Sequence, residues 1–536
     1  MVFLGLQLLV YLIILRKMKK IIYSFSVIIF FILSCSKDLG NYNYHDITEI
    51  TIKDLGGNRT LLYKTDTLVI NPELEFSMVG ENQNRFTYEW KLVSSANVNI
   101  NTKKGTIIGT ERNLVYPVMA APGAYTLYLK VKDNETGVVW AGYTLLSIKI
   151  PSATGFLLIG EDGEGFVEVE MIAMSVDDTT IIKGLSHDNG APRFKGAVDI
   201  LHTGTYPPRP NINKQWIIGK EHAFFVDPAS FETNPDNIFR SQLFTSYDLP
   251  QNIFPVDIAP RINNRGGTIV NSLRRIVVTN TGHAFTSDLT SGGNDFYGNP
   301  VNRLAGVNTP TFKVFPKIMH GPGSLSNYTL FDLDNKRFVF ASSSGANVRL
   351  LGDRPTDPFP WNQTDRTIVY AENTRNTDGG SFQGNVFALM KNETSGQYFI
   401  YKFASTSTPV KRNGYTVNIS SSADLAKSKF YSFSSLRTAL FFVDGSKLYA
   451  YDYSIGNDKT ILIKDFGDEI TMIKSDIQTG VYTDLYVATY NQTTKGTMHK
   501  MVLTNNTNTI ELIEDESAKW TGLSKIVNMS WKNSSN

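Results

Sequence analysis

Three long connections in this chain carry residue types that can hold a ligand. They are GAPRFKGAVDILHTGTYPPRPNINK (Gly190 to Lys214), SDLTSGGNDFYGNPVNRLAGVNTPTFKVFPKIMHGPGSLSN (Ser287 to Asn327) and LLGDRPTDPFPWNQTDR (Leu350 to Arg366). Each exceeds the usual connection length. The first offers Tyr206 and Arg209, the second Phe296, Tyr297, Asn299 and Arg303, and the third Phe359, Trp361 and Asn362. Aromatic faces flanked by Asn, Asp and Arg suit a sugar or a peptide, because the rings stack on apolar surface while the polar groups fix orientation. The plainer alternative is that these rings cap the fold and fill gaps between its elements.

Patterns for bond-breaking chemistry are sparse. There is no HExxH, no GxSxG and no phosphate-cradling glycine loop. The stretch GGSFQG (Gly379 to Gly384) has its second glycine one place late for a nucleophile elbow and reads as a flexible turn before a strand at Val386. His45, His187, His202, His222, His283, His320 and His499 show no metal-ligand spacing. GEDGEG (Gly160 to Gly165) and DLDNK (Asp332 to Lys336) cluster carboxylates but lack the full oxygen set of a calcium loop, so tight hairpin turns explain both. Paired carboxylates for glycoside hydrolysis are defined by separation in space, which sequence does not give. No catalytic residue, metal or cofactor is assigned.

One thiol stands apart. Cys35 is the only cysteine among 536 residues, and it ends the stretch IIFFILSC. Upstream are Met18-Lys19-Lys20 and an apolar run from Ile21 to Leu33, the order of an export signal. That order places the expected start at Met18 and the signal within residues 1–34. The run is shorter than the roughly 20 residues a membrane span needs. ILSC resembles the lipobox of bacterial lipoproteins, in which cleavage leaves an acylated cysteine at the mature N-terminus. The resemblance implies that Cys35 carries lipid and that residues 35–41 are a linker. Beyond it, disulfides, zinc-thiolate sites and thiol nucleophiles are excluded.

The elements that must position the long loops read as all-β. Lys and Arg number 52 against 50 Asp and Glu, which leaves no electrostatic footprint for nucleic acid. Short β-branched and aromatic runs alternate with Gly, Asn, Ser and Thr. The best short helical candidate is SADLAKSKF (Ser422 to Phe430). Residues 42–150 fit one immunoglobulin-type sandwich, with period-two alternation in YTLYLKVKD (Tyr125 to Asp133) and a hairpin turn at DNETG (Asp133 to Gly137). YEWKL (Tyr88 to Leu92) followed by PGAYTLYLKVKDNETG (Pro122 to Gly137) resembles the polycystic-kidney-disease (PKD) type of domain. This implies that Trp90 and Tyr125 are core residues and that Gly123 serves a turn. KLVSS stands where that type commonly has an acidic, glycine-rich loop. With CSKDLGNYNYHDITEI before it, the segment is similar to PKD-like lipoproteins of Bacteroidota. These accompany outer-membrane importers built from a TonB-dependent channel and a lid lipoprotein.

Residues 152–536 show seven hairpins, beginning at Gly155, Lys214, Arg274, Tyr328, Gly384, Thr438 and Thr483. At about 55 residues per unit they predict a β-propeller of about seven blades, with six or eight open and a jelly roll as the competing fold. The expected protein is a lipid-anchored outer-membrane binding protein at the cell surface. It would be accessory to a TonB-dependent uptake system and its lid lipoprotein, with a glycan or peptide ligand. The alternatives are a propeller hydrolase or lyase, and a structural partner of an importer. Converging Asp, Glu, His or Tyr around a deep pocket would favour the enzyme, and an aromatic platform would favour binding.

Overall fold

Alternation along YTLYLKVKD becomes a buried face. Leu127, Leu129 and Val131 are fully enclosed while Tyr128, Lys130 and Lys132 point outward. The computed structural model describes residues 48–78, 84–95, 105–174, 179–185, 191–203, 214–259, 274–289, 295–306, 308–322, 326–362, 365–418, 425–478 and 481–533. In the first unit a five-stranded sheet runs, in spatial order, Arg59–Leu62, Val139–Lys149, Gly123–Asp133, Phe86–Ser94 and Thr106–Gly109. Two strand pairs complete it, Ile50–Asp54 with Glu73–Phe76 and Thr67–Ile70 with Leu114–Pro117. Among the described residues, its core draws on residues 50–148.

Trp90 is fully buried at the centre of that core and donates its indole N–H to the Glu111 carbonyl at 2.9 Å. Tyr125 is half-buried at the core's edge, and its hydroxyl donates back to the Ala121 carbonyl at 2.7 Å, as in the tyrosine corner of immunoglobulin-type domains. Asp133 organises the DNETG turn. Its carboxylate takes a bidentate bond from Arg85 (2.7 and 3.1 Å), the Glu135 N–H (2.9 Å) and the Thr136 hydroxyl (2.9 Å). The Arg85 bond foremost, with these donors, holds the Asp133 pKa well below the usual carboxylate range.

From Thr154 onward the strands form seven antiparallel sheets among the described residues. Blade 1 contains Thr154–Glu161, Val167–Met174 and Thr179–Ile182, and blade 2 Ala197–His202, Gln215–Gly219 and Ala223–Val226. Blade 3 is Pro255–Ala259, Arg274–Thr279 and Ala284–Asp288, and blade 4 Asn327–Asp332, Arg337–Ser342 and Arg349–Leu350. Blade 5 comprises Arg366–Asn373, Val386–Asn392, Tyr398–Ala404 and Val410–Thr416. Blade 6 has Tyr431–Phe433, Ala439–Asp444, Lys447–Asp452 and Lys459–Asp465, and blade 7 Glu469–Ser475, Asp484–Asn491, Lys495–Leu503 and Leu512–Leu523. The seven hairpins read from the sequence are each a pair of adjacent strands in one of these blades. In SADLAKSKF, the described residues form only a short 3-10 turn at Leu425–Lys427, which precedes the first strand of blade 6.

The ring closes through the C-terminus. Lys525–Asn533 pairs with Thr154–Glu161, so the last strand of the chain is the innermost strand of blade 1. Seven apolar clusters then alternate with seven sheets, each cluster shared by two consecutive blades, and the last joins blade 7 to blade 1 through Met472, Tyr486, Phe156, Leu158 and Trp531. This is the propeller arrangement, in which radial repetition leaves only short edges.

Trp90→Ala should cost the sandwich about 3–5 kcal/mol, measured as a shift of its own calorimetric transition with the propeller transition unmoved. A chain ending at Ser524 should lose the cooperative propeller transition. A propeller transition retained within a few degrees would show that blade 1 closes without its inner strand.

Candidate functional site

Because the blades stand radially, the innermost segment of each faces the axis. A cavity of about 370 Å³ runs there, lined by the inner strands of blades 1, 2, 3, 5, 6 and 7 and by residues 315–320, whose neighbours Val314 and Met319 bridge to the first named strand of blade 4. Its wall mixes rings and proline (Phe315, Pro316, Tyr370, Phe430) with amides (Asn373, Asn528, Gln478) and charges of both signs.

Most of these polar groups also tie one blade to the next. Asp257 of blade 3 accepts the Ile318 N–H at 2.8 Å and lies 3.8 Å from the Lys317 ammonium, both on the blade 4 side. Asn373 of blade 5 accepts the His320 N–H (2.9 Å) and donates to the Ile318 carbonyl (3.0 Å). Glu372 accepts the Ser432 hydroxyl (3.1 Å) and the Phe433 N–H of blade 6. Ser432 is in turn bonded to Ser475 of blade 7 at 2.7 Å. Lys474 of blade 7 donates to the Asn528 side chain (2.8 Å) and the Met529 carbonyl (2.5 Å) of blade 1, and Asn528 donates to the Val198 carbonyl of blade 2 (3.4 Å).

Blades 2 and 3 are joined by a buried charge cluster. Asp295 pairs with Lys214 at 3.3 Å and Arg275 at 2.5 Å, and Arg275 also donates to the Thr203 carbonyl at 3.3 Å. Desolvation pushes the Asp295 carboxyl up, but the two cations outweigh it and hold it below the usual range. Burial lowers Lys214.

Within the channel, burial pushes the Glu372 carboxyl up to about 7, opposed by the Phe433 N–H, the Ser432 hydroxyl, Lys317 and Lys474. Burial first, then the nearby Glu372, raises the Tyr370 hydroxyl well above its ordinary value. The His320 ring donates from Nδ1 to the Gly321 carbonyl at 2.9 Å.

The residues singled out in the sequence lie elsewhere. Tyr206, Arg209 and Cys35 fall outside the described residues. Phe296 is exposed and meets Phe244 edge-on at 4.8 Å. Tyr297 is buried against Phe239, ring centroids 5.1 Å apart, beside the Asp295 cluster. The Asn299 side-chain Oδ1 accepts the Thr245 hydroxyl (2.8 Å) and the Ser246 N–H (3.2 Å), which pins its loop. Arg303 holds the chain ahead of blade 4 through its carbonyl, which accepts the Val348 N–H at 3.0 Å.

Phe359 and Trp361 are each 3% exposed and belong to the core between blades 4 and 5, Phe359 stacking on Tyr401 at 4.2 Å. Asn362 donates to Asp353 at 2.8 Å. Trp361 also edges a second cavity of about 360 Å³, where Lys411 is clamped between Asp353 and Asp357 at 2.5 Å each. GGSFQG is a tightly bonded turn rather than a flexible one: the Ser381 hydroxyl donates to the Asn385 side chain at 2.6 Å, which donates on to Asn376. A Cβ at Gly384 would come within 2.1 Å of the Thr374 carbonyl. In GEDGEG, Asp162 accepts the N–H groups of Glu164 and Phe166, and in DLDNK, Asp332 accepts those of Asp334 and Asn335.

The channel residues themselves escaped the sequence reading. A signal was present: Val-Asp-Ile stands in AVDILH and again in PVDIA, an acid inside an apolar strand, at the axis in two successive blades.

These sheets and cores define a β-propeller protein with an immunoglobulin-type sandwich on its N-terminal side. Residues 35–192 match the model of the PKD-like family, and the match runs past the sandwich into the outer three strands of blade 1. None of the curated proteins compared with the chain matches it. Among solved structures, a quinonprotein alcohol dehydrogenase-like protein from Bacteroides thetaiotaomicron is 14% identical, with 89% of this chain and 97% of that one covered at a TM-score of 0.34. PorZ, a surface component of the type-IX secretion system of Porphyromonas gingivalis, is 12% identical over 80% of this chain and 70% of its own, at 0.22. At such scores neither likeness bears on function, and the propeller assignment rests on the sheets and cores described above.

Glu372 makes a pH prediction. Its carboxyl moves from an ordinary 4.5 to about 7 on folding, so the native state binds more protons than the unfolded one between those values. The associated stability is full below pH 4.5 and is lost as pH rises through 7, on the order of 3 kcal/mol. Denaturant titrations at pH 5 and pH 8 should show this loss in the native protein and its absence in Glu372→Gln.

Proposed function

We propose that the protein is a lipid-anchored binding protein of the cell envelope whose propeller channel takes a small polar ligand. The channel is the observation that carries this reading. Its volume falls in the ordinary range for ligand sites, and its wall combines apolar rings with convergent polar groups. Asp257, Asn373 and Glu372 spend hydrogen bonds on neighbouring blades, which gives a rigid, pre-formed recognition surface. In the proposed setting Cys35 anchors the chain in the outer membrane, the sandwich spaces the propeller from the lipid, and the propeller serves a TonB-dependent channel and its lid lipoprotein at the cell surface.

A second reading, a surface hydrolase or lyase, draws support from Glu372. A carboxyl that titrates near neutrality beside a tyrosine in a deep cavity is the type of group general acid–base chemistry uses. Binding is preferred because both Glu372 oxygens already accept bonds from blade 6.

Cys35→Ala should move the protein from the membrane fraction to the soluble fraction of its host cells. Retention of the variant in the membrane would sink the lipid anchor.

A further inference from the structure

The charges in the channel do not balance. Four cationic side chains, Lys317, Lys429, Lys474 and Arg375, face Asp199, Asp257 and Glu372. Asp257 is matched by Lys317 and by a backbone N–H. Glu372 is half-protonated near neutrality. The excess is positive.

That excess has a location. The Arg375 Nε donates to the Ile477 carbonyl at 3.0 Å, and among the described residues no carboxylate stands within ion-pair distance of its guanidinium, Tyr482 and Asp476 acting on it only at longer range. The next residue, Gln478, also lines the channel. Its side-chain carbonyl accepts the Trp531 backbone N–H at 3.0 Å, while its amide nitrogen is buried without a partner among the described residues. A buried N–H donor left unmade is costly, so this one is a place where an acceptor belongs. A guanidinium and an amide N–H₂ that line one channel donate and cannot accept, and the group that answers both is a carboxylate. Asn373, Asn528, Tyr370 and Phe315 supply the mixture of amides and ring surface that hydroxyl-bearing rings use. About 370 Å³ is the small end of the range for ligand sites.

We propose that the channel holds a small hydroxylated carboxylate, of the kind a uronic acid represents, with its acid group at Arg375 and Gln478. This rests on the channel being the binding site.

The test is calorimetric titration of the full chain with glucuronate and, as its neutral match, glucose. Glucuronate should bind at least about tenfold more tightly than glucose, the scale of a charge-assisted hydrogen bond. Arg375→Gln should erase that preference. Gln478→Glu keeps an oxygen for the Trp531 N–H and the side chain's bulk while replacing the unpartnered donor, so it should fold and still weaken glucuronate several-fold. Val256→Trp, which fills the channel, should abolish binding of both sugars. Equal binding of the two sugars, both lost in Val256→Trp, would overturn carboxylate recognition and leave the channel standing. Binding unaffected by Val256→Trp would overturn the channel as well, and failure of both sugars to bind the native chain would overturn the proposal.

Discussion

Everything in the larger unit depends on the pairing of Lys525–Asn533 with Thr154–Glu161. No blade of this propeller owns its core. Each apolar cluster is built from two neighbouring sheets, so a gap at any point in the ring would leave two apolar faces uncovered. The C-terminal strand fills the one gap that chain connectivity creates, and Trp531 and Met529 enter the cluster between blades 7 and 1. It also supplies part of the channel wall, through Val527 and Asn528. Closure of the ring and completion of the site are therefore the same event.

Apolar cores fix the spacing of the blades but not their rotation about the axis, because packing tolerates small slides. Directed polar bonds at the inner strands remove that freedom. Asp257 to Ile318, Asn373 to His320, Glu372 to Ser432, Ser432 to Ser475 and Lys474 to Asn528 tie successive blades at one radius. Buried polar groups are costly unless satisfied, and fully satisfied they specify a single arrangement. The register of one inner strand against the next is set by the residues that also shape the cavity.

The middle strands of the blades were legible because their signal is local. VDGSKLYAYD reads as strand, turn and strand without knowledge of any other segment, and Asp444 and Lys447 indeed face each other across the turn. Trp90 was legible for a different reason, its place in a pattern shared with a known domain type. The channel was not, since Glu372, Asp257 and Gln478 are far apart in sequence and meet only because radial symmetry brings inner strands to one axis. Loop aromatics misdirect for a related reason. Phe359 and Trp361 occupy a Pro-rich connection, yet the connection folds back over the wedge between blades 4 and 5, and the rings finish that core. In a propeller the outer ends of adjacent sheets diverge, so large rings are needed where connections cross the gap.

The inner belt also bears on whether the cavity is built for binding or for turnover. A general acid must be able to give up its proton to a substrate and recover it, which requires one of its oxygens to face the reacting atom. Glu372 has its oxygens turned toward the Ser432 hydroxyl and the Phe433 N–H, and releasing either bond would loosen blade 5 from blade 6. A recognition site places no such demand on its wall. Donors such as the Gln478 amide nitrogen and the Arg375 guanidinium can meet a ligand while the bonds between blades stay made, so occupancy would add to the ring's cohesion rather than compete with it.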